Sequence, residues 1–176
     1  MSSVCEIPLS DGRVARVDLD DAPLVAGYRW LPFQGVNSLT TYAIASVRND
    51  AGDWRNLRMH RLLLSAPAGQ FVDHINRDGL DNRRSNLRLC TSAQSARNRS
   101  HPVGRSGFRG VYWYPKIQRW AARIETNGRA TYLGSYEDAA EGALAYDRAA
   151  IAQHGEFATL NFPEMRDWAN IRREGL

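Results

Sequence analysis

Apolar and polar positions alternate with a period of two in the first third of the chain and again beyond residue 107. Val14-Ala15-Arg16-Val17-Asp18-Leu19 alternates after the Asp11-Gly12 turn signal and predicts a strand. Residues 41–47 are rich in strand formers, and Asn49-Asp50-Ala51-Gly52 turns them back into a second strand over 54–59. Residues 60–65 predict a short helix, stopped by Pro67 and Gly69. A brief strand over 71–75, a polar loop over 76–82 and a second strand over 86–89 follow. Thr91 then caps a helix reaching about Asn98.

Ser100-His101-Pro102-Val103-Gly104-Arg105-Ser106-Gly107 has no apolar period and clusters proline, glycine and serine, so it reads as a linker. Three strands are expected over 109–114, 120–125 and 129–133, joined by residues 115–119 and by Asn127-Gly128, a strong hairpin signal. Val111, Trp113, Trp120, Ala122, Ile124 and Leu133 fall on one face of this sheet, and Tyr112, Tyr114, Ala121, Arg123 and Glu125 on the other. A helix opens at Ser135 with Asp138 at the capping-box position and ends at Gly155. Ala139, Ala140, Ala143, Ala150 and Ile151 give it a small-residue stripe to lay on the sheet. The class is therefore α+β. A strand-rich region with a strand–strand–helix unit occupies 1–99, a linker 100–107, a three-stranded antiparallel sheet with one helix 108–163, and a tail 164–176.

Composition narrows the function. Of 176 residues, 43% are hydrophobic and 24% charged, an ordinary globular mixture rather than a disordered or fibrous one. No apolar run approaches a membrane span, Met1–Glu6 is not expected to open a signal peptide, and a cytoplasmic setting is expected. Cys5 and Cys90 lack metal-knuckle spacing, which excludes a four-cysteine zinc site and a disulfide framework. Arginine supplies 22 of the 23 basic residues, a bias suited to planar contacts with phosphate and guanine. Between His74 and Arg129 twelve basic residues face three acidic ones, leaving that stretch at +9 and the rest of the chain at −5. A basic centre between acidic flanks is the footprint of a nucleic-acid binder.

Phosphodiester hydrolysis needs a base for water and positive charge at the leaving oxygen. Asp73 and His74, adjacent on a predicted strand, offer a carboxylate and an imidazole on opposite sides. With Met59-His60-Arg61-Leu62 upstream and Asn82-Arg83-Arg84-Ser85-Asn86-Leu87-Arg88 downstream, Val72-Asp73-His74-Ile75 resembles the HNH (ββα-metal) endonuclease motif of phage and intron homing enzymes. The resemblance implies His74 as general base, Asn86 as the residue that ties the loop and orients the base, and Asp73 as ligand to Mg2+ or Mn2+. The second ligand of that family, a histidine or asparagine on the next helix, is Ser95 here, in Thr91-Ser92-Ala93-Gln94-Ser95-Ala96-Arg97-Asn98. An alcohol is a poorer partner than an amide carbonyl for a hard cation. His60 reads as a structural histidine.

Residues 107–163 resemble the APETALA/ethylene-response-factor DNA-binding domain through Arg109-Gly110-Val111, Trp120-Ala121-Ala122-Arg123-Ile124, Tyr132-Leu133-Gly134, Ala145-Tyr146-Asp147-Arg148-Ala149-Ala150 and Leu160-Asn161-Phe162-Pro163. That implies a three-stranded sheet reading the major groove. The matching positions are Arg109, Tyr112, Tyr114, Arg123, Glu125 and Tyr132, with Arg119 and Arg129 adding charge. Tyr112 and Tyr114 stand where plant members often carry arginine, and Arg123 where they often carry glutamate, so the plant target sequence does not transfer. Asn161 is expected to close the domain beneath its helix. The combined expectation is a monomeric homing-type endonuclease of a phage or bacterial host cell, cutting double-stranded DNA. A non-catalytic DNA binder with a decayed nuclease site is the alternative.

Overall fold

Gly12 takes a φ of +87°, a left-handed value open to a residue without a Cβ, and so β1 (Val4–Pro8) folds back antiparallel on β2 (Val14–Asp18). The computed structural model describes residues 3–36, 38–98, 104–126 and 128–166, and the chain divides into two compact units, residues 1–96 and 97–176. In the first unit, Ala15 and Val17 turn inward from β2, and a short 3-10 turn leads into α1 (Ala22–Val25). Trp30 is buried and donates its indole N–H to the Val25 carbonyl at 2.9 Å. An antiparallel sheet follows, built from β3 (Leu31–Gln34), β4 (Thr41–Arg48) and β5 (Trp54–Arg58), with β4 central.

The helix expected over 60–65 forms as α2 (Met59–Leu63), whose Met59 and Leu63 enter the core beside Leu9, Val17, Val25, Trp30 and Leu87. Full burial of such side chains contributes about 1.5–3 kcal/mol each. A hairpin of β6 (Phe71–His74) and β7 (Leu87–Cys90) then leads into α3 (Ser92–Arg97). The second strand begins at Leu87 rather than Asn86, because Asn86 ends a 3-10 turn and spends its side chain on the intervening loop. Thr91 and Gln94 cap α3 reciprocally: the Thr91 amide donates to the Gln94 side chain at 2.8 Å, and the Gln94 amide to the Thr91 hydroxyl at 3.2 Å.

The second unit has the expected sheet, β8 (Val111–Tyr114), β9 (Arg119–Thr126) and β10 (Arg129–Tyr136), in the order β10-β9-β8 with α4 (Ala139–His154) packed on it. Asn127 of the hairpin signal and residues 100–103 of the expected linker lie outside the described residues. Residues 104–107 form a turn tied to this unit, the Ser106 hydroxyl donating to the Val111 carbonyl at 2.8 Å.

Three expectations need correction. The helix does not open at Ser135, because Ser135 and Tyr136 still pair with Ala121 and Trp120 after a bulge between Tyr132 and Gly134. Asp138 is instead the N-cap itself, its carboxylate accepting the Ala140 amide at 2.9 Å. Burial also departs from sheet face at two positions. Trp113 is 37% exposed, set edge-on to Trp120 at 5.2 Å, while Ala121 is fully buried between its cross-strand neighbours Tyr112 and Ser135. Finally, Gly142, Tyr146 and Asp147 of α4 join Ala139, Ala143 and Ala150 in the interior, whereas Ala140 and Ile151 are half-buried. Gly110 makes the approach of Tyr146 possible, since a Cβ there would lie 2.2 Å from that ring. Asn161 closes the unit as expected, linking the Arg109 backbone to the buried Asp147 carboxylate.

Candidate functional site

The loop between β6 and β7 is fixed by its own polar side chains. Asn86 accepts the Asn76 amide at 2.9 Å and donates to the Asn76 side chain at 2.9 Å and the Asp81 carbonyl at 2.7 Å. Asp81, fully buried, receives Asn76 at 2.9 Å and a two-point contact from Arg83 at 2.7 Å, which holds its carboxyl below the usual carboxylate range. Backbone bonds from Arg16 to Leu80 and from Asn82 to Arg16 stitch the loop to β2. Gly79 presses on β4, where a Cβ would meet the Thr41 carbonyl oxygen at 2.3 Å and the Tyr42 ring at 2.8 Å.

This loop delivers Asn82 to His74, whose Nε2 lies 3.3 Å from the Asn82 amide oxygen. This contact anchors one imidazole nitrogen to the loop. His74 is 4% exposed, and burial pushes its pKa below the ordinary histidine value against the opposing pull of Asn82 and Asp73. Its ring meets Tyr42 at 5.7 Å and His60 at 5.0 Å, the two imidazoles standing at 87°. The side chain that meets His74 is thus Asn82, while Asn86 ties the loop. Tyr42 is a contact that no local pattern announces, since it comes from β4.

Asp73, 8% exposed, points to the other side of β6, where its register partner Arg88 donates twice to one carboxylate oxygen, at 3.0 Å from Nε and 2.7 Å from Nη2. Cys90 shares this side, and burial followed by the Asp73 charge raises its thiol pKa. Ser95, half-buried on α3, directs its amide to the Thr91 carbonyl and toward Cys90.

The resemblance implies a divalent cation here. The residues do not fit one as they stand. Asp73 is already engaged by a guanidinium, Ser95 offers an alcohol, and no group of three or more His, Cys, Asp or Glu comes together among the described residues. Arg88 was legible in principle, because pairing the two short strands across their loop sets it opposite Asp73.

The expected reading residues of the second unit separate into two groups. Tyr112, Tyr114, Arg119, Arg123, Glu125 and Tyr132 share the face away from α4 by strand alternation and register. Arg123 stacks over the Tyr112 ring at 5.3 Å, Arg119 pairs with Glu137 at 2.8 Å, and Tyr132 is 59% exposed. Arg129 pairs with Thr126 and falls on the opposite face, and the Arg109 side chain hydrogen-bonds Tyr146 of α4. The outward face is accordingly aromatic with arginine interleaved.

Comparison with known proteins agrees with this geometry. The HNH endonuclease family matches residues 65–97, and the AP2 domain family matches residues 106–156. An HNH endonuclease of Acanthamoeba polyphaga mimivirus is 28% identical over 156 residues, covering 85% of this chain and 75% of that protein. An AP2-like ethylene-responsive transcription factor of Arabidopsis thaliana is 36% identical over 75 residues, 39% of this chain and 16% of that protein. Ethylene-responsive transcription factor 1 of Solanum lycopersicum is 46% identical over 65 residues, 35% of this chain and 26% of that protein. The chain therefore spans only a minor part of these plant relatives. No solved structure matches the chain. The hairpin and helix around Asp73 and His74 and the sheet on α4 coincide with these two matches, and the chain carries an HNH endonuclease domain followed by a C-terminal AP2 DNA-binding domain.

Proposed function

We propose that the protein is a homing-type endonuclease that hydrolyses double-stranded DNA, with His74 as general base and the AP2 sheet setting the position of the cut. The observation that carries this reading is the His74–Asn82 contact, which ties the imidazole to the β6–β7 loop inside the segment that matches the HNH endonuclease family. In the reaction a water oxygen bonds to phosphorus, its proton passes to His74, and the P–O bond to the sugar oxygen breaks, that oxygen taking a proton from solvent water to leave as a hydroxyl. HNH nucleases generally use a divalent metal. Since the residues here do not form a hard-cation site, no step is assigned to one.

The arginines and tyrosines of the outward sheet face suit phosphate and base contacts in a major groove. A monomer acting on DNA in the cytoplasm of a phage-infected or bacterial cell is the corresponding setting. No helix among the described residues is long and apolar enough to cross a membrane.

The Arg88 hold on Asp73 favours a second reading, a DNA-binding protein whose nuclease site no longer turns over. Plasmid nicking separates the two. The wild-type protein is assayed with Mg2+, with Mn2+ and with chelator, beside His74→Ala. Nicking that His74→Ala abolishes supports the endonuclease. Absence of nicking in every condition, with duplex DNA still bound, supports the second reading.

A further inference from the structure

His60 is buried on α2, and its Nδ1 has no hydrogen-bond partner among the described residues. A buried polar atom without a partner is unfavourable, and an apolar side chain in that place would avoid the cost. Two contacts show what the ring touches. It stands at 87° to the His74 ring with centroids 5.0 Å apart, and it meets Tyr42 at 5.4 Å. Tyr42 also touches His74, so three rings from β4, α2 and β6 lean on one another in a closed triangle. Asn82 holds one nitrogen of His74, and the perpendicular ring of His60 lies against the imidazole plane.

We propose that His60 is a positioning residue for His74, setting the plane of its imidazole by ring contact. The proposal rests on the nuclease reading for its functional meaning, but its structural content concerns His74 in the free protein. His60 touches neither DNA nor water in this role. It works by shape, through a neutral ring: burial first, and then the neighbouring His74, Arg58 and Arg61, push its pKa down to about 3, so no charge opposes the imidazolium that proton transfer creates on His74. Tyr42, itself braced by Gly79 of the loop, is the backstop of the arrangement.

Two variants of the full-length protein test it: His60→Phe keeps a ring and removes the nitrogens, while His60→Gln keeps an amide and removes the ring. The readout is the imidazole 1H–15N spectrum of the free protein, with the His74 signals assigned by their loss in His74→Gln, together with kcat and KM for plasmid nicking. For His60→Gln we expect displaced and broadened His74 ring signals, and kcat lowered by up to about 100-fold at unchanged KM. His60→Phe is expected to keep both near wild type.

A His60→Gln protein with wild-type His74 shifts overturns the proposal. So does a His60→Phe protein as impaired as His60→Gln, which would assign the role to an imidazole nitrogen. If His60→Gln fails to fold, His60→Phe decides: sharp His74 signals at wild-type positions support the proposal, and displaced and broadened ones overturn it. If no form of the protein cuts DNA, the nuclease reading fails, and the spectra still decide whether His60 orders His74.

Discussion

The loop around His74 and the outward face of the β8–β10 sheet are both built on short antiparallel strands, yet they hold their side chains differently. Around His74, polar side chains are bonded to one another across the loop, Asn82 to His74, Asn86 to Asn76 and Asp81, Arg83 to Asp81 and Arg88 to Asp73, and His74, Asn82, Asn86, Asp81 and Asp73 are themselves buried. On the sheet, Tyr112, Tyr114 and Tyr132 are exposed, Arg123 rests on Tyr112 and Arg119 pairs with the surface carboxylate of Glu137. A group that transfers a proton must be held to within fractions of an ångström, whereas groups that read a groove must adapt to it. The difference in how the side chains are anchored therefore matches a division between chemistry and recognition.

The division breaks most visibly at the base. His74→Ala is expected to lower cleavage by about 10²–10⁴-fold while duplex affinity stays within twofold, as measured by nicking and by fluorescence anisotropy. Equal loss of both would place His74 in binding rather than chemistry.

Gly79→Ala should destabilise the first unit by about 1–3 kcal/mol, because the new Cβ meets the Thr41 carbonyl with no room to relax. Thermal unfolding of Gly79→Ala beside Gly128→Ala sharpens the point. Gly128 has open space around it and pays only for its φ of +75°, so its melting shift should be smaller.

Acid should weaken the first unit through its histidines. The folded protein keeps His60 neutral down to about pH 3, while the unfolded chain binds a proton near pH 6.5. The unfolded state therefore holds more protons in that window. Stability is expected to fall as pH drops from 6.5 toward 3, by about 1.4 kcal/mol per unit for this group alone. Denaturant titrations at pH 7 and pH 5 measure the slope, and His60→Phe should flatten it.

Arg123→Ala is the mildest change. Affinity for duplex DNA is expected to drop about tenfold, with the slope of log affinity against log salt less steep by about one, as for one lost phosphate contact. No change in either would remove Arg123 from the interface.

Much of this was readable in the sequence. Period-two alternation and the Asp11-Gly12 signal located β2, and the Asp73-His74 and Asn86 pattern located the hairpin and its loop. Small residues between the third sheet strand and Gly155 located α4. What escaped has common causes. Ser135 was assigned to the helix because a bulge after Tyr132, invisible to a fixed alternation, lets β10 run three residues further. Trp113 has interior parity with its register partner Trp120, yet it lies on β8, an edge strand of the sheet, and is 37% exposed. Tyr42 and the role of Asn82 depend on how the loop lies on β4, a tertiary contact set by Gly79 that no local window contains. Arg109 has the charge of a reading residue, and only the fold shows that it reaches Tyr146 instead.

Single-turnover cleavage at saturating protein tests the division most directly, because saturation erases a binding defect and leaves a chemical one. Wild type, His74→Ala and Arg123→Ala are compared on one duplex. The account predicts that Arg123→Ala recovers the wild-type rate once the DNA is fully bound, while His74→Ala stays slow by about 10²-fold or more. An Arg123→Ala protein that remains slow at saturation, or a His74→Ala protein that catches up, would contradict it.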